Sequence, residues 1–478
     1  MQCFKCFLLF FMIGGVFSFG NPSLSAHPDS SSVLKYQYEG DLLTKEFHQG
    51  KRQALRNLLP ENSLAVFFSN PIRNRSNDVD FEYHQDPDFY YLTGLREPNS
   101  MLIIFKEKQL IDSIQTDEII FIQDRDSKKE IWIGRILGKS GVKEILGFDR
   151  IKINNEFADF EFNFSSFGKI FHKSFHDDVR DNLRDKGDLS SLIKHFKSKT
   201  EGLPSLDSKK LQQYTAALRE VKSPEELTLL RKAINATVKA QIELMKAVEP
   251  NTTEYQAEAI IEYFFKASGA EYPGFPSILG GGENSCILHY TTNRKTLFNN
   301  DLLVIDVGAE YHGYTADVTR TLPVNGKYTP EQKIIYNIVL EAQNAGIKAS
   351  KPGNKFWDPH NEATKVIQKR LMELGIISNL TDSYLYFMHG TSHYLGLDVH
   401  DPGLYGNLAP GNVITVEPGI YIPEGSPCDA KWWNIGVRIE DDILITTGEP
   451  ENLSGEAPRA IEEIEKLMEQ QSIFNILR

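Results

Sequence analysis

The sequence predicts an α/β N-terminal domain over 34–200 followed by an α+β domain over 207–478. Three observations carry this expectation. The chain has 478 residues, enough for two ordinary cores. The stretch 198–207, SKTEGLPSLD, is polar and contains Gly and Pro, the texture of a linker. Before it helical and strand patterns interleave; after it Gly-rich strands lie between long, well-capped amphipathic helices.

Residues 1–20, MQCFKCFLLFFMIGGVFSFG, set one lysine beside an apolar run from Cys6 to about Phe19. The run is too short to span a bilayer and has the length of a secretory core segment. A signal peptide within 1–26 is expected, cleaved after Gly20 or Ala26, with export to a periplasm or the exterior. The alternative is a cytoplasmic protein with an oily N-terminus. Cleavage would remove Cys3 and Cys6 and leave Cys286 and Cys428 of the four cysteines, so disulfides are not expected to be the main source of stability. A net charge of -13 gives no basic footprint for nucleic acid or anionic lipid, and neither nucleic-acid binding nor stable membrane insertion is expected.

Residues 23–32 are Ser- and Pro-rich and read as a tether, with order starting near Leu34. A helical pattern covers 44–59, strands are expected at 64–68, 101–105 and 118–122, and a second helical patch covers 189–197. Ser223, Pro224, Glu225 and Glu226 form a capping box with proline at the first helical position, opening a helix over 227–248. Thr329, Pro330, Glu331 and Gln332 repeat the signature before a helix over 334–349. A short acidic amphipathic helix is expected at 460–470, and no repeat of solenoid length is present.

The chemistry centres on 302–321, LLVIDVGAEYHGYTADVTRT. Residues 302–307 and 314–321 read as strands, and 310–313 supplies turn chemistry, so the segment is expected to fold as a hairpin. A turn centred between Tyr311 and His312 places Asp306 opposite Asp317. Facing carboxylates repel unless a cation or proton lies between them, so the pair asks for a metal ion. The alternative is a solvated hairpin with acids on its wet face.

Downstream, 388–401 reads MHGTSHYLGLDVHD and carries three of the 12 histidines, His389, His393 and His400. Gly390 and Gly396 argue against a continuous helix, so a loop and adjoining strand are expected to present them. In 413–419, VITVEPG, the following proline holds Glu417 extended. In 436–444, GVRIEDDIL, strand alternation puts Arg438 and Glu440 on one face. Singly, His389 reads as a turn cap, Glu417 as an edge-strand acid, and Arg438 with Glu440 as a surface ion pair. Together they supply hard oxygen ligands and an imidazole, which suit Mn²⁺, Fe²⁺, Co²⁺ or Zn²⁺, and carboxylates can bridge two ions about 3.5–4 Å apart.

At these motifs the sequence resembles the pita-bread metallopeptidases, and within them the aminopeptidase P (Xaa-Pro aminopeptidase) family. The resemblance covers nearly all of the mature chain and rests on IDVGAEYHGYTADVTRT, HGTSHYLGLDVHD, VEPGIY and GVRIEDD, with GGGENSCILHY upstream. It implies a creatinase-like N-terminal domain, a pita-bread catalytic domain, and a dinuclear site, commonly manganese, held by Asp306, Asp317, His393, Glu417 and Glu440. By the same resemblance His289, His389 and His400 contact substrate or support the ligands, and Arg438 orients Glu440. YHQDPDFYYLTG at 83–94 looks like the aminopeptidase P signature rather than that of prolidases. His84 stands where Arg is more usual, which bears on domain packing or assembly more than on catalysis.

The resemblance implies metal-dependent release of the first residue from peptides with proline second, by an enzyme that assembles as a dimer or tetramer. In that reading Glu417 shuttles the proton, and His289 and His400 steady the oxyanion or the substrate backbone. The runner-up is a prolidase acting on Xaa-Pro dipeptides; the alternative of another class is a peptide-binding pseudoenzyme on the same fold.

Overall fold

The structure is a computed structural model and describes residues 39–182 and 185–476. The expected signal peptide, the Ser/Pro tether, and Cys3 and Cys6 lie outside the described residues. From Asp41 onward the described residues form one compact unit. No helix among them is long and apolar enough to cross a membrane.

The first half is built on a six-stranded sheet in the order Ile151–Ile153, Ile114–Ile122, Met101–Ile111, Ser63–Phe68, Lys169–His172, Leu206–Asp207. Its central pairs are antiparallel, and Lys169–His172 runs parallel to Ser63–Phe68. Both faces of Ser63–Phe68 are covered, which explains its unbroken apolar run. Leu64 and Val66 point to a phenylalanine-rich cluster with Phe157, Phe164 and Phe196. Ala65 and Phe67 point the other way, to a cluster with Leu55 and Phe89. That second cluster also takes in Leu229, Leu230, Tyr314 and Leu395, so one apolar core joins the halves. The 198–207 stretch, expected as a linker, ends in Leu206–Asp207, which pairs with Lys169–His172 and completes the first sheet.

In the second half the helix Pro224–Ala247 starts at the expected capping box, and Pro330–Ala349 at its repeat. Small sheets lie among the helices. Leu302–Val307 is the middle strand between Ile278–Gly281 and Val318–Pro323. Here the structure corrects the expected register: Asp306 faces Thr319, and Asp317 is not its direct partner. The turn is His312 and Gly313, both at positive φ (50° and 87°), one position later than expected. Moving a turn by one position changes the index sum by two, so parity is kept and Asp317 stays on the side of Asp306. The expected second strand is also interrupted, between Tyr314–Thr315 and Val318–Pro323. Gly308 lies at the matching break, where a Cβ would collide with the Ala316 carbonyl.

Two further expectations change. Segment 388–401 forms isolated bridges, Tyr394 with Asp401 and with Ile414, rather than a strand. Segment 436–444 is split: Ile435–Arg438 pairs with Gly419–Ile422, and Asp441–Leu444 with Val413–Val416. Glu440 therefore sits at the junction of two small sheets. Glu417 follows strand Val413–Val416 directly.

Candidate metal centre

Each acid is aimed by a backbone or side-chain anchor. Asp306 ends the buried run Leu302–Val307, and its Oδ2 accepts from Arg438 Nη2 at 2.6 Å. Asp317 sits in the strand break, where its N–H donates to Asp442 Oδ2 at 3.2 Å. Glu440 takes a hydrogen bond on Oε2 from Thr319 Oγ1 at 2.6 Å, and its N–H donates to Thr319 O at 3.1 Å. Glu417 is fixed by its N–H to Thr391 O at 2.9 Å and by Thr415 Oγ1, which donates to Oε1 at 3.3 Å.

His393 is aimed by its backbone. Its N–H donates to Thr415 Oγ1 at 3.1 Å, and Nδ1 is 3.0 Å from Tyr394 O, so Nδ1 carries the proton. The lone pair on Nε2 then faces Asp317 Oδ2 at 3.4 Å and Glu417 Oε1 at 3.5 Å. Ligand atoms of Asp317, His393 and Glu440 all lie within 4.8 Å of one another.

A cavity of about 290 Å³ opens on this cluster, lined by Asp306, His393, Glu417 and Arg438 together with His289, His389 and His400. The structure thus gathers all the candidate residues named from the sequence. Arg438 departs from expectation: its guanidinium pairs with Asp306, and it reaches Glu440 only through Thr319 Oγ1, to which its Nε donates at 3.3 Å. Its Nη1 donates to Tyr421 Oη at 2.9 Å, and Tyr421 Oη stands 2.9 Å from His389 Nε2. With His389 Nδ1 bonded to Gly390 O, the relay from Asp306 through Arg438 and Tyr421 fixes the His389 ring.

The sequence reading missed Thr319, Thr415, Tyr421 and Asp442. Three are uncharged, and the fourth, Asp442, ends the run Glu440, Asp441, Asp442 with nothing to single it out.

Electrostatically the cluster cannot remain as bare anions. Burial, reinforced by Glu440, Asp306 and Glu417, holds the Asp317 carboxyl well above the usual range. Burial and Glu417 do the same to Glu440. Burial pushes Glu417 up to about 8 against the pull of Arg438. Burial also lowers His389 and His393 to about 4 and lowers His400, leaving neutral imidazoles and keeping the His393 Nε2 lone pair turned to the acids. Asp306 Oδ1 and Asp317 Oδ1 are buried with no hydrogen-bond partner. Unpartnered carboxylate oxygens beside a neutral Nε2 fit divalent cations in chemistry and placement.

Residues 228–447 match the metallopeptidase family M24, and residues 48–165 match the aminopeptidase P N-terminal domain. A curated Xaa-Pro aminopeptidase of Escherichia coli is 37% identical over 440 residues, 89% of this chain and 98% of its own. The chain belongs to the aminopeptidase P family of M24 metallopeptidases. An Xaa-Pro aminopeptidase of Haemophilus influenzae is 35% identical, covering 91% of this chain and its whole length. Among solved structures of this aminopeptidase P family, the E. coli enzyme with the inhibitor Pro-Leu superposes with a TM-score of 0.79 at 36% identity, over 89% of this chain and 98% of that one. The Pseudomonas aeruginosa aminopeptidase PepP gives 0.79 at 32%, over 90% and 99%.

Proposed function

We infer that the protein is a metal-dependent Xaa-Pro aminopeptidase, releasing the N-terminal residue from peptides with proline in second place. The observation that carries the reading is the pair of orphaned oxygens, Asp306 Oδ1 and Asp317 Oδ1, in a buried cluster whose acids cannot all ionise without cations. Asp306, Asp317, His393, Glu417 and Glu440 are the proposed ligands of two divalent ions, Mn²⁺ first, with Co²⁺, Fe²⁺ or Zn²⁺ as substitutes. Such ions activate water and polarise the scissile carbonyl when bound.

The rest is the work of side chains. Glu417, held by Thr391 and Thr415, takes the proton from the attacking water and passes it to the departing proline nitrogen. His289 and His400, on the cavity wall, donate to the developing oxyanion or the substrate backbone. Arg438 holds Asp306 and, through Tyr421, His389.

The deciding assay sets an Xaa-Pro-Xaa tripeptide beside an Xaa-Pro dipeptide, before and after chelation. Metal-dependent cleavage of the tripeptide at its first bond is expected. Turnover of the dipeptide alone would make the protein a prolidase, and binding without cleavage by metal-loaded protein a pseudoenzyme.

Export after signal cleavage is part of the proposal, supported by the apolar run behind Lys5. Intact mass of protein from its native host should give a start between Asn21 and Pro28; a chain beginning at Met1 would overturn it. A homo-oligomer, dimer or tetramer, is also proposed. Ile131, Trp132 and Ile133 support it, being large apolar side chains left exposed (82%, 87% and 66%). Light scattering showing a monomer would remove it.

A further inference from the structure

Around His393 the loop bearing His389, His393 and His400 is tied to strand Val413–Val416, the Thr415 N–H donating to His393 O at 3.0 Å and the Leu395 N–H to Val413 O at 3.1 Å, and the stretch carrying His400 then turns back on Tyr394. Its far end is fixed by Asp401, the residue after His400. The Asp401 N–H donates to Tyr394 O at 3.0 Å, closing the loop on the neighbour of His393. Asp401 Oδ1 accepts from the Asp398 N–H at 3.2 Å, and Arg219 Nη2 also donates to Asp398 Oδ2 at 3.2 Å, so the turn that presents His400 is built on these two neighbouring carboxylates. The His393 and His400 rings lie 4.4 Å apart, centroid to centroid.

The Asp401 carboxylate is gripped from outside the loop. Arg219 Nη2 donates to Asp401 Oδ1, and Lys222 Nζ to Asp401 Oδ2 at 2.8 Å. The other arm of the same guanidinium, Nη1, donates to Asp88 Oδ1 at 2.7 Å, and Asp88 belongs to the helix Pro87–Thr93 of the first half. Asp88 is completed by Thr215 Oγ1 and by Lys173 Nζ, each at 3.0 Å. The side chains of Asp88, Arg219, Lys222 and Asp401 are all 3% exposed or less. Buried ion pairs lose in desolvation much of what attraction returns, so stability alone explains this chain of charges poorly. A rigid planar fork with two aimed arms does supply geometry.

We propose that Arg219 is a positioning residue for His400: holding Asp88 with one arm and Asp401 with the other, it makes the placement of that imidazole depend on the seating of helix Pro87–Thr93. The proposal rests on the reading of the cavity as an aminopeptidase site.

The test uses the full-length, metal-loaded protein. Arg219→Lys keeps the charge but cannot span both carboxylates; Asp88→Asn weakens the first-half grip, together with the Lys173 and Thr215 contacts of the same carboxyl, while leaving the Asp401 grip in place, and serves if the other variant folds poorly. Each is made in the wild-type and the His400→Ala background. Kinetics are read per metallated chain on a tripeptide with proline second. In the wild-type background each should lose roughly 2–30-fold in kcat with KM little changed. In the His400→Ala background the same change should cost less than about 2-fold, because the two act in series. Hydrogen exchange should quicken in 394–401 and stay unchanged in 302–323. Equal losses in both backgrounds, or a lowered melting point with kcat and exchange unchanged, would overturn the proposal. A wild-type protein that cleaves no such peptide would reject the aminopeptidase reading instead, while the exchange data would still decide the role of Arg219.

Discussion

Arg438 Nη2 stands 2.6 Å from Asp306 Oδ2, setting a guanidinium against one acid of the buried carboxylate cluster. It meets Tyr421 and Thr319 with its other nitrogens, a spread that a lysine ammonium cannot reproduce. Arg438→Lys should therefore lose roughly 10–100-fold in metal affinity or turnover, the usual cost of removing a group that orients a ligand. Calorimetric metal titration beside kcat measures it. Wild-type values for both would show that Asp306 needs no such partner.

Glu417→Gln keeps shape and one ligand oxygen but removes the basic carboxylate. Turnover should fall by roughly 10²–10⁴ while the Kd for a proline-containing inhibitor changes far less. Metal content is measured alongside, so that a lost ion is not mistaken for a lost base. Wild-type turnover would end the assignment of Glu417 as proton shuttle.

Metal binding should release protons. Burial and the charge of Asp306 hold Glu417 up to about 8, so at pH 7 the metal-free protein keeps a proton there that an incoming cation must displace. Calorimetry in two buffers of different ionisation enthalpy should find about one proton or more released per chain at pH 7, and fewer above pH 9. The sign for stability follows. With the folded-state pKa raised, the metal-free fold is favoured below the ordinary carboxylate range and loses that contribution as pH rises through about 8. Proton-free binding at pH 7 would contradict the charge arrangement.

His312, at the hairpin tip, bonds through Nδ1 to Glu271 at 2.7 Å and through Nε2 to Asp41 at 2.9 Å. Burial lowers its proton affinity, but the hydrogen bonds of Glu271 and Asp41 outweigh that and raise it above the ordinary 6.5. The link is fully stabilising below pH 6.5 and is lost as pH climbs through the raised value. Between pH 6 and 9, at saturating metal, the wild-type melting point should fall more than that of His312→Gln. Parallel curves would show that this histidine does not titrate in the transition.

What the sequence reveals and what it hides separate along physical lines. Capping boxes and apolar runs are local, so Pro224–Ala247 and Leu302–Val307 appear almost at their true bounds. The convergence of four acids and a histidine was legible because acids in or next to apolar strand-forming runs have few structural reasons to be there, and the family resemblance named the set. The exact register was not: a hairpin tip with Tyr311, His312 and Gly313 offers two neighbouring turns, and only packing chooses between them. Thr319, Thr415 and Tyr421 were hidden because a hydroxyl that aims a ligand resembles any other β-forming residue. The pairing of Arg219 with Asp88 spans 131 positions and left no local trace. His84 was placed by its neighbours: its Nε2 lies 2.9 Å from Glu310 Oε1, packing the first half against the hairpin segment that carries Asp306 and Asp317.

The short strand Leu206–Asp207 carries a consequence for where the chain can be divided. Cut the gene at codon 200 and Lys169–His172 would be bared as a sticky edge, open to a strand from another molecule. The same cut would leave Asp88 in one fragment and Arg219 in the other, breaking one buried ion pair while each keeps a partner of its own, Lys173 and Asp401. Such a seam ties the two halves into one unit, since each completes a sheet edge or an ion pair of the other.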